Sequence, residues 1–452
     1  MNPERADSEG EDHEGSPSNL TVTLQTVGCK LNQAEAEFLA SQFLRAGYEL
    51  VEPDLPPVVY ILNTCTVTHV ADRKCRHILR SYHHRYPQTF LVVTGCYAER
   101  APEEISQIEG VGLVVGNRDK AKLVELVSSR LSNSSSAMGV PTFRARRPPD
   151  FSRARALVKV QEGCAEHCTY CIVPQVRGRG RDMPMDEVVA QVKARVEEGH
   201  QEVVLTGTQM GTYQGGSLKE LIQRILDETG VRRLRLSSLQ PQDLSPGLLQ
   251  LWKSGRLCRH LHLPLQSGSD SVLRRMGRRY STSEYQRAVN LAREFIPDLA
   301  ITTDVMVGFP GESEEEFWRS YRFCDELGFA RLHIFPFSER PGTAAAKLPG
   351  KVPEQVKRYR RDQMLKLAKL SAERFHQSFL GRKLEVLWEG QKDGLWFGYT
   401  DNYLRVFSQS ERDLRNLVLP AKLVGEFKPQ GLTEGLVGEI GAPNLSGRSV
   451  GR

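Results

Sequence analysis

No apolar run in this 452-residue chain is long enough to span a bilayer, and nothing at its start reads as a signal peptide. A helical membrane protein or a secreted one is therefore not expected. Cysteine is scarce and odd in number, nine residues, which does not fit a disulfide framework. Free thiols suit a reducing compartment, the cytoplasm, where thiolates are available to metal. Acidic charge is also in short supply once the first twenty residues are set aside. That head carries six acids and one base, yet the whole chain has a net charge of +6, so the body is more basic than the total suggests. Such a body suits a polyanion such as RNA, and equally an ordinary soluble basic protein. The head itself, residues 1–19, has few apolar side chains and should be disordered. The length leaves room for roughly two to four domains.

Against that scarcity, three cysteines crowd into one run, Gln161-Glu-Gly-Cys-Ala-Glu-His-Cys-Thr-Tyr-Cys-Ile. The C-x3-C-x2-C spacing offers the thiolates of Cys164, Cys168 and Cys171, one fewer than a four-iron cluster needs for full cysteine ligation. One iron is then open to another ligand. The alternative is tetrahedral zinc completed by His167, although ligands adjacent in sequence at 167 and 168 are geometrically awkward.

Three more cysteines, Cys29, Cys65 and Cys96, each follow a strand-like apolar run, at 21–27, 58–63 and 90–94. A fourth such run lies at 112–115, and helical patterns such as 33–46 lie between them. This alternation predicts a parallel α/β sheet, whose ligands gather at the carboxyl edge of the strands. Three cysteines converging there would make a second metal site; otherwise they are three unrelated buried thiols. Gly28 and Gly95 directly precede two of them and permit tight turns.

Residues 131–155 read as a linker, with polar Ser132–Ser136, the breakers Pro141, Pro148 and Pro149, and several arginines. The alternation then resumes. Strand-like runs stand at 156–161, 202–207, 232–238, 260–266, 301–308 and 331–337, separated by helical patterns that include 186–198, 217–229, 246–253, 283–295 and Glu314–Leu327. Six β/α units are too few for an eight-stranded barrel. An open partial barrel is predicted, with its chemistry at the C-terminal strand ends, where the cysteine loop falls. Residues 351–380 form a basic helical stretch, with eight Lys or Arg against three acids. From about 381 short β runs with Gly turns predict a small β-barrel. The chain thus divides into an acidic head (1–19), an N-terminal α/β domain (20–130), a linker (131–155), a central domain (156–380), a small barrel (381–440) and a tail (441–452).

These motifs carry a resemblance. The chain resembles the tRNA methylthiotransferases, radical S-adenosylmethionine (SAM) enzymes of the MiaB and MtaB group, over nearly its whole length. The likeness rests on the cysteine motifs and on Ile172-Val-Pro-Gln-Val-Arg-Gly-Arg, His262-Leu-Pro-Leu-Gln-Ser-Gly-Ser-Asp, Thr303-Asp-Val-Met-Val-Gly-Phe-Pro-Gly-Glu and Phe335-Pro-Phe-Ser-Glu-Arg-Pro-Gly-Thr. It implies an N-terminal cluster domain, a radical SAM half-barrel and a C-terminal RNA-binding TRAM barrel. It implies two [4Fe-4S] clusters, an auxiliary one on Cys29, Cys65 and Cys96 and a SAM-binding one on Cys164, Cys168 and Cys171. Gly207, Thr208, Ser237, Gln266 and Gly308, at predicted strand ends, are the candidates to hold SAM. The implied partners are a tRNA anticodon loop, an electron donor of flavodoxin or ferredoxin type and a sulfur donor, with no membrane.

The implied reaction adds sulfur and a methyl group to C2 of a modified adenosine at position 37. That C–H bond has no useful acidity, so polar acid–base catalysis cannot open it and cofactor radical chemistry is needed. Gly28-Cys29-Lys30-Leu31-Asn32-Gln33 is closer to the MtaB type, with lysine after the first cysteine, than to the MiaB type, with glutamine there. This favours N6-threonylcarbamoyladenosine over N6-isopentenyladenosine. The carboxylate of the former calls for a cation, and Arg177, Arg179 and Arg340 are the candidates. Rival readings are methylthiolation of an aspartate in a ribosomal protein, and a non-catalytic iron–sulfur RNA-binding redox sensor. Cys75, Cys258 and Cys324 read as bystander or core thiols. The 381–440 segment, with eight basic and nine acidic residues, is nearly neutral for an RNA binder.

Overall fold

A computed structural model describes residues 20–133, 154–429 and 435–441. The acidic head, most of the linker and nearly all of the tail lie outside the described residues. The first five strands are β1 (Thr21–Thr26), β2 (Glu49–Leu50), β3 (Val59–Thr64), β4 (Phe90–Gly95) and β5 (Val111–Val115). They form one sheet in the order β2-β1-β3-β4-β5, parallel throughout. Strand β3 is buried along its whole length, and its side chains alternate between two layers. Val59 and Ile61 join a core under helix α1 (Lys30–Arg45), and Tyr60 and Leu62 join one under helix α2 (His69–Arg85). Helix α1 starts at Lys30, three residues before the apolar periodicity does, because Cys29 already takes the N-cap position.

The central part contains β6 (Arg155–Lys159), β7 (Gln161–Glu162), β8 (Arg181–Asp182), β9 (Glu202–Thr206), β10 (Arg233–Leu236), β11 (His260–His262), β12 (Ala300–Val307) and β13 (Arg331–Pro336). Two parallel sheets, β10-β9-β6 and β11-β12-β13, are joined by the bridges Leu234↔Leu257 and Ser238↔His262 into a curved six-stranded half-barrel. β11 is shorter than its apolar run, because Gln266 takes a left-handed conformation at φ 67° and bridges Val305 separately. The outer helices include Thr282–Phe295 and Glu314–Leu327, each started by a capping box, Ser281 with Glu284 and Ser313 with Glu316. The antiparallel ribbon of β7 and β8 clamps the cysteine loop between its strands.

Helix α1 lies against the half-barrel, where Ala34 packs with Leu157 of β6 and Val204 of β9. The basic stretch is the long helix Glu354–Gln377, which buries Met364 and Leu367 in the central core. The last strands, β14 (Lys383–Lys392), β15 (Leu395–Thr400), β16 (Arg405–Ser408), β17 (Val418–Phe427) and β18 (Gly435–Ile440), close a barrel in the order β14-β15-β16-β18-β17. Arginines from the strand starts of the half-barrel hold this barrel. Arg233 donates to the Tyr399 and Glu385 carbonyls at 3.1 and 2.8 Å, and Arg259 grips the Asp401 carboxylate at 2.6 and 2.9 Å. Arg235, fully buried, spans Glu202 at 2.6 Å and the Asp401 carbonyl at 3.0 Å.

Candidate functional site

The cysteine loop leaves the end of β6 and is shaped from outside itself. The Cys164 amide donates to the Gly178 carbonyl, and the Thr169 amide to that of Met276. The three thiols line a cavity of about 170 Å³ together with Thr208, Gln209, Gln240, Arg278 and Tyr280. The Arg278 guanidinium donates to Cys168 Sγ at 3.4 Å, the Glu166 amide to Cys164 Sγ at 3.4 Å, and the Cys164 thiol meets Gln209 Oε1 at 3.1 Å. N–H donors aimed at sulfur suit thiolates that ligate a metal. Burial pushes the Cys171 thiol up to about 12, with the neighbouring Cys168 and Cys164 adding to the effect, so bare thiolates are disfavoured here until a metal supplies positive charge. His167, the fourth ligand of the zinc alternative, is exposed.

The second triad stands at the carboxyl edge of the five-stranded sheet, as strand order requires. Cys29 follows β1, Cys65 follows β3 and Cys96 opens the short helix Cys96–Arg100 after β4. Glycine is obligatory before two of them. At Gly28 (φ 125°) a Cβ would stand 2.8 Å from Cys65 Cβ, and at Gly95 (φ 99°) 2.5 Å from the Thr64 carbonyl oxygen. Burial raises Cys65 to about 12, with Cys96 and Cys29 contributing, so the three share one electrostatic neighbourhood. Asn117 Nδ2 donates to Cys96 Sγ at 3.6 Å. Among the described residues no three His, Cys, Asp or Glu side chains close around a single metal ion. A four-iron cluster is wider than one ion and asks for thiols set further apart.

The two triads meet through helix Val173–Arg177, which begins two residues after Cys171. Its Val176 packs on Cys96 with Ile172, and the Val176 carbonyl accepts from Asn117 at 2.7 Å. Arg177 at its end is buried, donating to Glu35 Oε1 at 2.7 Å and to Asn32 Oδ1 at 2.6 Å on α1. Lys120 closes the other side of Glu35 at 2.7 Å. Burial alone would raise the Glu35 carboxyl, but Lys120 and Arg177 hold it well below the usual carboxylate range. Arg340, in the loop after β13, is also buried and donates to Asp72 and Thr66, both at 2.7 Å, while its Nε and Nη1 have no hydrogen-bond partner among the described residues.

The candidates for SAM contact are spread along the strand ends. Thr208 lines the cavity of the 164–171 loop, and its buried hydroxyl has no hydrogen-bond partner among the described residues. Gly207, Ser237 and Gly308 directly follow β9, β10 and β12, and Gln266 lies four residues past β11; none of the four lines that cavity. Gly308 is engaged otherwise, its amide donating to Glu312, which Arg360 holds at 2.7 Å. Gln209, Gln240, Arg278 and Tyr280 were missed by sequence reasoning. Arg278 follows the seven-residue helix Asp270–Met276, too short to register as a periodic pattern. Of the cations suggested for a carboxylate, Arg177 is committed to Glu35 and Asn32, Arg179 is exposed, and Arg340 is held on Asp72 by one edge.

Residues 158–324 match the Radical SAM superfamily, and residues 21–116 match an uncharacterized protein family, UPF0004. The chain is 36% identical over 423 residues to the threonylcarbamoyladenosine tRNA methylthiotransferase MtaB of Bacillus subtilis, covering 89% of this chain and 94% of that one. It is 37% identical to the protein of the same name from Thermotoga maritima, over 85% of this chain and 90% of that one. A tRNA-2-methylthio-N(6)-dimethylallyladenosine synthase of Syntrophotalea carbinolica is 32% identical, over 91% and 98% of the two chains. Among solved structures, the radical S-adenosylmethionine methyltransferase TsrM of Kitasatospora setae shares the fold at a TM-score of 0.56 and 16% identity, over 73% of this chain and 77% of that one.

Proposed function

The chain belongs to the MiaB/MtaB family of radical SAM tRNA methylthiotransferases, and from that premise we propose that it adds sulfur and a methyl group to C2 of N6-threonylcarbamoyladenosine at position 37 of tRNA. The observation that carries this reading is the pairing of two cysteine triads across one five-residue helix, Val173–Arg177. In this reading Cys164, Cys168 and Cys171 hold a [4Fe-4S] cluster that binds SAM, with Thr208 in the same cavity, and Gly207, Ser237, Gln266 and Gly308, outside that cavity but after the strand ends, are the further candidates to hold SAM. Cys29, Cys65 and Cys96 hold a second [4Fe-4S] cluster. When bound, these groups supply the one-electron chemistry that opens an unactivated aromatic C–H bond and the sulfur that replaces the hydrogen.

The protein's own part is position and charge. Arg278 and the Glu166 amide donate toward thiolates on one side, and Asn117 does so on the other. The Glu35–Arg177–Lys120 network fixes the distance between the two sheets that carry the triads. A half-barrel leaves one side for a loop of RNA, whose unpaired bases can be splayed into a cavity. An electron donor of flavodoxin or ferredoxin type and a sulfur donor complete the proposed partners. The threonylcarbamoyl substrate is favoured because the Bacillus and Thermotoga relatives carry that name.

The test replaces each triad separately with alanine in reconstituted protein. Loss of Cys164, Cys168 and Cys171 should remove about half the iron and all reductive cleavage of SAM. Loss of Cys29, Cys65 and Cys96 should remove the other half and stop methylthiolation of threonylcarbamoyladenosine tRNA, while SAM cleavage continues. SAM cleavage that survives the first replacement overturns the assignment.

A further inference from the structure

Lys30 is the first residue of α1 and the immediate neighbour of Cys29. Its half-buried ammonium lies 5.8 Å from the centre of the Tyr403 ring on the C-terminal barrel. Among the described residues it has neither a hydrogen bond nor a carboxylate at ion-pair distance. The acids around it are spoken for: Glu202 is bound by Arg235 and Glu389 by Arg155. Arg155 also donates to the Tyr403 hydroxyl at 2.9 Å. Lys30, Arg155, Phe397 and Tyr403 line a cavity of about 750 Å³ between α1, the inner face of β6 and β9, and the barrel. That volume is in the range of small-ligand sites. A cation in such a cavity, with every nearby acid committed, is costly unless a ligand brings the counter-charge.

We propose that Lys30 is the specificity-determining contact for the substituent on N6 of the substrate adenosine, its ammonium pairing with the carboxylate of the threonylcarbamoyl group. This rests on the substrate reading above and names the residue behind it. Lys30 is placed for the task because it adjoins a residue of one triad while its side chain reaches into the cavity where the half-barrel and the barrel meet. The aromatic rings of Tyr403 and Phe397 offer the apolar flank for the carbon skeleton of the substituent. An isopentenyl group would leave the ammonium unpaired, and a site built around a polar partner rejects the ligand that lacks it. Arg340, whose Nε and Nη1 have no hydrogen-bond partner among the described residues, is the competing cation beside Thr66 and Asp72 on the Cys65 side.

The experiment measures binding of anticodon stem-loop RNA to reconstituted holoenzyme by fluorescence anisotropy. The RNAs carry the threonylcarbamoyl group, its carboxamide analogue, or isopentenyl. Wild-type protein should bind the carboxylate form about tenfold more tightly than the carboxamide, the worth of one charge-assisted contact. Lys30→Met should bring that ratio close to one, Lys30→Arg should keep most of it, and Arg340→Met should leave it in place. Iron content reports whether each variant is folded. The carboxylate–carboxamide comparison on wild-type protein needs no variant at all. Equal binding of those two RNAs by wild type, a ratio that survives Lys30→Met, or one lost only in Arg340→Met overturns the proposal. The substrate reading fails differently, through wild-type protein that does not methylthiolate the threonylcarbamoyl RNA.

Discussion

Cys75 is fully buried on α2 among Tyr60, Leu79 and Tyr82, and its thiol points at the Cys65 carbonyl from 3.9 Å. Closed in by apolar side chains, it has no room for iron, although it is ten residues from Cys65. Cys75→Ser should therefore leave iron stoichiometry unchanged and cost about 1–3 kcal/mol of stability by placing a hydroxyl in an apolar site. A drop in iron would make it a ligand. Glu35 shows the opposite case, a buried charge with full compensation from Arg177 and Lys120. Removing one member of such a set strands the others, and Glu35→Ala should cost about 3–5 kcal/mol in denaturant unfolding. The pH dependence has a definite sign. The carboxyl is held below its unfolded value, so its stabilisation is present above the ordinary carboxylate range and is lost as pH falls through the lowered folded value. Thermal melts should lose this acid-range contribution in Glu35→Gln. An unchanged acid limb would mean the network contributes nothing.

Elements differ in how far sequence reveals them. The parallel sheet of the N-terminal domain, the glycines before Cys29 and Cys96, and the six-strand count of the half-barrel follow from local chemistry and could be read directly, whereas the unbroken apolar run of β3 hid its division between two cores. The two-residue β2, the five-residue helix Val173–Arg177 and the helix Asp270–Met276 are too short to print a period. The residues around the thiols were illegible for a different reason. Arg278 reaches Cys168 across 110 residues, and Asn117 reaches Cys96 and Val176 at once; such convergence is a property of topology and not of any window. The loop after β13 illustrates both. Its motif was evident, but its work is to clasp the N-terminal sheet, with Ser338 Oγ accepting from the His69 amide at 3.1 Å and Arg340 holding Asp72. Arg100 also holds Asp72, at 3.2 Å, so the clasp can loosen without leaving that acid bare. Arg340→Met should raise amide hydrogen exchange in 338–346 while exchange in β3 and β4 stays slow. Equal acceleration in both would make Arg340 a determinant of the global fold and not a clasp.

At the scale of the whole molecule the C-terminal barrel is part of the body. Its turn at 400–403 caps the half-barrel, with Tyr403 stacked on His260 at 4.7 Å and against the Arg235 guanidinium at 4.5 Å. Deleting 381–440 would strip partners from Arg233, Arg235 and Arg259, so loss of tRNA binding in a truncated protein would say little about where RNA sits. Surface charge gives a cleaner test. The barrel segment is nearly neutral, whereas 351–380 has eight bases against three acids, and on its helix Lys366 and Lys369 are exposed with no ion-pair partner among the described residues. Lys383 and Lys422 are the equivalent exposed pair on the barrel, facing each other across β14 and β17. Counterion release ties each phosphate contact to about 0.9 in the slope of log affinity against log salt. If the long helix carries the electrostatic grip, reversing Lys366 and Lys369 to Glu should weaken tRNA binding and flatten that slope by about one to two. Reversing Lys383 and Lys422 should change it less. Titrations of both double variants with tRNA across a salt series decide the matter: a larger loss from the barrel pair places the grip on the barrel despite its balance of charge.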